Sequence, residues 1–292
     1  MKFKRAQKEL QLGRIQDGPI KERLESHGLS HENYKLKEQA RKGTQIGSGS
    51  ERSVYLVPGD EYPVKKYPHS GTSTRHGGPV SHQTTHFDKL IESFERVMEL
   101  RIFARTMNEY TNWASKQYPQ DRQKIPYFVV PKSIVDRNAV IHEPLLSESK
   151  KNILVRNYKT EVLFYLPKVI KEMYVYMDSF SNGNVYTAGE TRSDDPVFHG
   201  RPKYHAIDGA KFFLPQSDDI EEELDKVERG LVGGRLWDML SEERRKEELA
   251  RKYYNRDKAR KSLTHFKNIL SKITQEELNK TLQAIDNVFG VK

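Results

Sequence analysis

The chain contains no cysteine, which excludes disulfide bonds, thiolate catalysis and zinc sites built from cysteine. It has no run of about 18 apolar residues, the length that a membrane-spanning helix requires. The basic residues at its start are followed by no apolar segment, so we expect no secretory signal. These absences favour a cytoplasmic protein without a membrane partner, in line with a reducing compartment.

Charge is abundant: 50 of the 292 residues are lysine or arginine, 41 are aspartate or glutamate, and the net charge is +9. Residues 1–45 hold eleven basic and six acidic residues, a net charge of +5. We predict that residues 1–43 form a basic N-terminal arm that packs on the main domain or tethers it. A nucleic-acid partner would be contacted through this arm and through the basic, tyrosine-containing residues 251–261; the alternative for that stretch is a solvated helix face.

Hydrophobic patterning in the first half predicts strands and one long helix. Residues 44–67 are strand-like. A 3.6-residue apolar rhythm predicts a helix from about Phe87 to Lys116. Strands are predicted at 126–131 and 139–143, joined to each other by a turn at residues 136–138.

The second half is predicted to be mostly helical. An apolar-faced helix is expected at 160–177, and short strands are expected around a turn-rich insert at 188–202. Towards the end of the chain Ser241 is a candidate N-cap. Thr274 and Glu277 have the spacing of a capping box, which would start a helix there.

The loop predicted at residues 68–86 contains His76, His82 and His86. Histidine is a common metal ligand, but no carboxylate or second cluster lies at ligand spacing. We therefore expect these histidines to be exposed to solvent and to bind no metal.

A glycine-containing hairpin carries the clearest chemical signal. Gly47 and Gly49 have no Cβ atom, so their backbone N–H groups can approach phosphate oxygens. Val54 would pack on an adenine face, and Lys65 would supply positive charge to the phosphates. Lys66 is the rival of Lys65, because successive residues of a strand point to opposite faces.

The segment from Ile46 to Lys65 resembles the first hairpin and third strand of a protein-kinase N-lobe. The helix and two strands that follow continue the same order of elements. The resemblance implies a two-lobed, α+β kinase-like fold, with a basic arm at 1–43, an antiparallel-sheet N-lobe at 44–144 and a reduced helical C-lobe at 145–292. Arg52 replaces the third glycine of the usual motif, and no Ala-Pro-Glu sequence follows. The chain is therefore similar to small phage, bacterial-effector or aminoglycoside-type kinases.

The resemblance also implies roles for glutamates of the N-lobe. A glutamate on the long helix should hold the nucleotide lysine, and Glu99 is preferred over Glu95 and Glu92. Glu143, at the end of the last N-lobe strand, is expected to take part in nucleotide binding.

Three residues of the C-lobe are implied to carry the chemistry. Asp178 would accept or orient the substrate hydroxyl, and Asn184 and Asp208 would hold Mg²⁺ against the phosphates of ATP. Asn184 lies six residues after Asp178 where five is usual, and Asn182 lies four after it. Residues 188–202 would be an insertion before Asp208.

The function implied is that of an ATP- and Mg²⁺-dependent phosphotransferase of atypical type, acting on serine or threonine of a protein substrate. It requires Lys65, Asp178, Asn184 and Asp208 to converge in one cleft. The alternative is an inactive pseudokinase, which would serve as a structural, virion-associated or nucleic-acid-associated interaction protein. Either protein would belong in the bacterial or infected-cell cytoplasm or in a virion.

Overall fold

The structure is a computed structural model. It describes residues 18–36, 43–48, 52–69, 85–117, 127–145, 153–154, 175–176, 185–192, 199–206, 211–212, 219–251 and 254–290. In chain order the elements are α1 (Pro19–Ser26), β1 (Thr44–Ser48), β2 (Arg52–Leu56), β3 (Val64–Pro68), α2 (His86–Gln117), β4 (Tyr127–Val129), β5 (Ile134–Val135), β6 (Ile141–Glu143), β7 (Ile153–Leu154), β8 (Val175–Tyr176), β9 (Val185–Arg192), β10 (Pro202–Ala206), β11 (Lys211–Phe212), α3 (Ile220–Val232), α4 (Gly234–Met239), α5 (Glu242–Arg251) and α6 (Arg256–Phe289).

The chain divides into two compact units. The sheet unit combines residues 17–101, 130–152 and 275–292, and the second unit combines residues 1–16, 102–129 and 153–274. The predicted α+β class is confirmed, with a small antiparallel sheet and a helical C-terminal part. The predicted boundaries of arm, N-lobe and C-lobe stay predictions.

The sheet unit is built on five antiparallel strands in the order β1-β2-β3-β6-β5. The strands predicted within 44–67 are confirmed as β1, β2 and β3. Gly43, just before β1, has a φ of 98°, and a Cβ atom there would collide with the carbonyl group of Leu56. Only glycine fits this position, so the entry into the first hairpin is determined locally.

The predicted long helix is confirmed as α2. It begins with a capping box, in which the Asp88 N–H donates to Thr85 Oγ1 (3.2 Å) and the Thr85 N–H donates to Asp88 Oδ2 (2.8 Å). Its buried apolar residues lie on more than one face, which suits a helix inside the protein. They are Phe87, Leu90, Ile91, Phe94, Val97, Met98, Leu100, Ile102, Phe103, Ala104, Met107 and Tyr110.

Residues 18–36 pack on the start of α2, as the first of the two expectations for the arm requires. Tyr34 is buried, its ring packs edge-on against Phe87, and its hydroxyl donates to the Arg137 carbonyl at 2.8 Å. The Leu36 N–H donates to His86 Nδ1 at 3.1 Å. His86 is therefore half-buried, not fully exposed as predicted, while His76 and His82 lie outside the described residues.

The predicted partner of the strand at 126–131 is wrong. The tight turn at 136–139 joins β6 to β5, because a short turn pairs the residues that flank it directly. β4 instead pairs in parallel with β10. Both backbone groups of Phe128 also bond the Asn108 side chain on α2, at 2.8 and 2.7 Å, so this strand belongs to the second unit.

The predicted helix start at Thr274 is also wrong, because α6 runs unbroken from Arg256 to Phe289. No glycine or proline interrupts the chain there, so the capping pattern falls inside a helix. The buried residues Ile273, Glu277, Thr281 and Ile285 follow one another at four-residue spacing on its inner face. Ser241, in contrast, directly precedes α5 and has its Oγ 3.5 Å from the Arg244 N–H, as an N-cap.

The second unit contains a mixed sheet, β4-β10-β9-β7, and a two-stranded ladder, β8-β11. Strands are present on both sides of the predicted insert at 188–202, as β9 and β10, but β9 runs to Arg192 and so occupies the first part of that stretch. Residues 175–176 form a strand where a helix was predicted; residues 160–174 lie outside the described part. No helix among the residues described has both the length and the apolar character needed to cross a membrane.

Asp286, near the end of α6, connects that helix to α1. Its carboxylate accepts hydrogen bonds from Arg23 Nε (2.6 Å) and lies 2.9 Å from His27 Nε2. The bond from Arg23, followed by the bond from His27, lowers the Asp286 pKa from its usual 3.8 to about 2. The ionised carboxylate is thus bound more strongly in the folded than in the unfolded chain.

We expect Asp286→Asn to lower the unfolding midpoint at neutral pH, because the pairs with Arg23 and His27 are weakened. Since the pKa is lowered on folding, this stabilisation is present above the pKa of the unfolded chain and is lost as the pH falls through about 2. The difference between wild type and variant should therefore shrink from pH 4 downwards, measured by urea unfolding at a series of pH values. Asp257→Asn, on the same helix, is the control; an equal pH-dependent loss there would contradict the assignment.

Candidate functional site

Gly47, Val54 and Lys66 lie side by side on one face of the five-stranded sheet. The strand register pairs Gly47 with Val54 and Val54 with Lys66, and directly paired residues of antiparallel strands share a face. A Cβ atom added to Gly47 would meet Val54 only at ordinary contact distance, 3.8 Å. The protein's own packing therefore does not require glycine at this position.

Lys66 is bound to a carboxylate on the same face. Its Nζ lies 2.9 Å from both Oε1 and Oε2 of Glu143, and the two side chains are only 14% and 6% exposed. The Ser133 hydroxyl donates to Glu143 Oε1 at 3.1 Å. Burial of the ammonium is thus compensated by an ion pair, and the carboxylate is held in place by a further hydrogen bond.

Lys65 lies on the opposite face, in a separate polar chain. Its Nζ is 2.8 Å from Asp60 Oδ2 and 2.7 Å from His142 Nδ1. An ammonium group only donates, so His142 Nδ1 accepts and the proton of the neutral ring is on Nε2, which donates to Asp136 Oδ2 at 2.9 Å. The hydrogen bond from Lys65, followed by that from the Tyr62 N–H, lowers the Asp60 pKa.

The register therefore separates the two lysines that the sequence left as rivals. Lys66, not Lys65, shares a face with Gly47 and Val54. Lys65 is bound to Asp60 and His142, so Glu99 is not its carboxylate in this structure. Glu99 lies half-buried on α2, as do Glu95 and Glu92.

Glu143 lies at the sheet, as the predicted nucleotide-binding role requires, but its carboxylate is used to bind Lys66. Sequence reasoning missed this pair, and it missed Asp60, Asp136 and His142. The signal for the pair is the antiparallel register of β3 and β6, which a single sequence does not specify. Asp60 in the β2–β3 turn could have been found, since it lies five residues before Lys65 across a tight connection.

The remaining predicted residues, Gly49, Asp178, Asn184 and Asp208, lie outside the described residues. Within those that are described, no group of three histidine, aspartate or glutamate side chains is arranged to hold a metal ion. The predicted Mg²⁺ ligands are not among the residues this finding covers.

Two arginines of the basic stretch at 251–261 form ion pairs with α3. Arg256 contacts Asp225 and Glu228, both at 2.6 Å, and Arg260 Nε contacts Glu221 at 2.6 Å. The hydrogen bond from Arg260, the largest cause, lowers the Glu221 pKa from 4.5 to about 2. These arginines hold helices of the second unit together. The contact with nucleic acid stays a prediction, and it must depend on other charges of the stretch, such as the exposed Lys258 and Lys261.

Comparisons with known proteins found no match to a family model, to a curated protein or to a solved structure.

We expect Glu143→Gln to destabilise the protein by about 3 kcal/mol, because it leaves the Lys66 ammonium buried without its carboxylate. Lys66→Met should destabilise it as well, and the double variant should be clearly more stable than the sum of the two losses, as measured by urea unfolding. The same cycle on Lys246 and Glu242, an exposed pair at 2.7 Å, is the control and should show a much smaller coupling. If the losses of stability caused by the Lys66 and Glu143 substitutions were additive, this would contradict an ion pair between the two residues.

Proposed function

We propose that the protein is an ATP- and Mg²⁺-dependent phosphotransferase of the protein-kinase-like type, with Lys66 as the nucleotide lysine. The observation that carries the proposal is the shared sheet face of Gly47, Val54 and Lys66. This face combines a backbone without a Cβ atom, an apolar side chain and a cation, in the arrangement that a nucleotide's phosphates and base would require.

The topology of the sheet unit also supports the proposal. The strand that bears the lysine, β3, is central, with the glycine hairpin on one side and β6 on the other. The long helix α2 follows β3 in the chain, and the β5–β6 hairpin that completes the sheet comes after the intervening strand β4. The Glu143 carboxylate supports the role of Lys66 by holding its ammonium on this face.

Strand pairing in the second unit gives independent support. β8 pairs with β11, and β9 pairs with β10. Residues 177–184 connect β8 to β9, and residues 207–210 connect β10 to β11. Each connection therefore joins the β8–β11 pair to the β9–β10 pair, and the two connections contain Asp178, Asn184 and Asp208.

Each residue has a defined role in the proposed reaction. Lys66 would bind phosphate oxygens of the nucleotide, and the Gly47 backbone would approach them closely. Asp178 would accept the proton of a serine or threonine hydroxyl as its oxygen attacks the terminal phosphorus, while the bond from that phosphorus to the leaving ADP oxygen breaks. Asn184 and Asp208 would hold Mg²⁺, which neutralises charge on the phosphates.

We expect Lys66→Met to weaken ATP binding in the presence of Mg²⁺ at least 10-fold, because a cation is lost at the phosphates. Lys65→Met, on the opposite face, is the matched control and should change the affinity less than about threefold. Asp208→Asn should remove the dependence of binding on Mg²⁺. Calorimetric titration of each folded variant measures all three effects, and equal losses for the two lysine variants would contradict the assignment of Lys66.

Transfer of the γ-phosphoryl group to protein serine or threonine is measured separately. We expect Asp178→Asn to reduce kcat by at least 100-fold while the affinity for ATP stays within about twofold, since the residue acts on the acceptor hydroxyl. Metal-dependent ATP binding without transfer in the wild type would favour the pseudokinase alternative. Absence of nucleotide binding in the wild type would overturn the proposed function.

A further inference from the structure

Arg52 stands at the position where the usual glycine-rich motif has its third glycine. It is the first residue of β2, so it directly follows residues 49–51, which connect the two strands of the hairpin. It is only 6% exposed. A large cation is thus buried at a position where the motif normally has no side chain. The cost of burying this cation must be offset by its other contacts.

The Arg52 guanidinium contacts two other elements of the sheet unit at once. Nη2 donates to Ser93 Oγ on α2 at 2.8 Å, and Nη1 donates to the Ala139 carbonyl in the β5–β6 turn at 3.1 Å. Ser93 Oγ also lies 2.9 Å from that carbonyl oxygen. Arg52, Ser93 and Ala139 therefore form a triangle of polar contacts among β2, α2 and the turn, and Ser93 Oγ also lies 2.6 Å from the Lys89 carbonyl oxygen.

Ala139 adds a sign of strain to this triangle. Its φ is 59°, in the left-handed region that alanine rarely adopts, and the residue is fully buried. Such a conformation costs about 1 kcal/mol or more and persists where surrounding contacts enforce it. Here it directs the carbonyl to accept from Arg52 and Ser93, which links the strained turn to the first hairpin.

The chemistry of arginine makes this link rigid. Its planar guanidinium presents several N–H donors in a fixed fork, so bonds to two acceptors fix the orientation of the side chain. Because Arg52 begins β2, these bonds also fix the place where the hairpin connection leaves the sheet. A flexible glycine at the same position would leave that place free to move.

Resting on the proposed function, we infer that Arg52 is a positioning residue that fixes the start of β2 through Ser93 and Ala139, so that the Gly47 backbone, paired with Val54 of β2, is preorganised for the phosphates of the nucleotide. Preorganisation strengthens binding by reducing the entropy lost when the hairpin becomes ordered. Arg52 should therefore strengthen the binding of ligands that carry phosphates, and it should not strengthen the binding of the nucleoside alone.

The test compares the affinities for ATP and adenosine in the presence of Mg²⁺, by competition against a fluorescent nucleotide. Arg52→Met should weaken ATP binding about 10-fold and adenosine binding less than about twofold. Arg52→Lys, which keeps the charge but lacks the fork, should show most of the same loss. Ser93→Ala removes only one of the two acceptors of the Arg52 guanidinium. If the Arg52 variants do not fold, the two affinities are compared on Ser93→Ala instead.

Arg137→Met is the matched control, because Arg137 lies in the same turn but bonds the Val288 carbonyl at 2.8 Å and has no contact with β2 among its hydrogen bonds. Its ratio of ATP to adenosine affinity should equal that of the wild type. A general loss of stability would weaken both ligands equally, and an unchanged ratio in the Arg52 and Ser93 variants would overturn the inference while the proposed function stands. A wild type that binds neither ligand would overturn both.

Discussion

The turn at residues 136–139 is the structural constraint on which the sheet unit depends. Asp136 Oδ1 accepts from the N–H groups of Asn138 and Val140, which closes the turn. Its second oxygen accepts from His142, and the Ala139 carbonyl accepts from Arg52. The same few residues thus receive hydrogen bonds from the first hairpin, from α2 and from β6. Buried backbone polar groups need such partners, and here they also determine how the elements fit together.

Arg137 extends this dependence to the two segments most distant in sequence. Its carbonyl accepts from Tyr34 in the segment before the sheet, and its guanidinium donates to Val288 and lies 5.9 Å from the Phe289 ring at the end of α6.

The two adjacent lysines of β3 follow a related rule. Each ammonium is compensated on its own face, Lys66 by Glu143 and Lys65 by Asp60 and His142, because buried charge is tolerated only when it is paired.

Local patterns in the sequence predicted the local structure well. The helix α2 and the strands of the first hairpin are confirmed, since both follow from side chains close together in the chain, although the buried residues of α2 lie on more than one face. The predictions that failed concern the choice between competing neighbours. The partner of β4 depends on residues far away in sequence. The carboxylate of Lys65, in contrast, is Asp60 only five residues away, and α6 continues through Thr274 because no glycine or proline interrupts it. The distinction between Lys65 and Lys66 required the register, since a shift of one residue exchanges the faces.

The sheet unit is assembled from three separate stretches of the chain, and its contacts span long separations, with Arg23 bound to Asp286 across 263 positions. During synthesis on the ribosome, the first hairpin and α2 emerge long before the end of α6. Loop closure on this scale is slow, and incomplete domains expose apolar surface that favours aggregation. The unit can reach its final form only after residues 275–292 have been synthesised. Fragments that end before residue 275 therefore lack part of this unit, and the cell's chaperones would meet the sheet in an unfinished state.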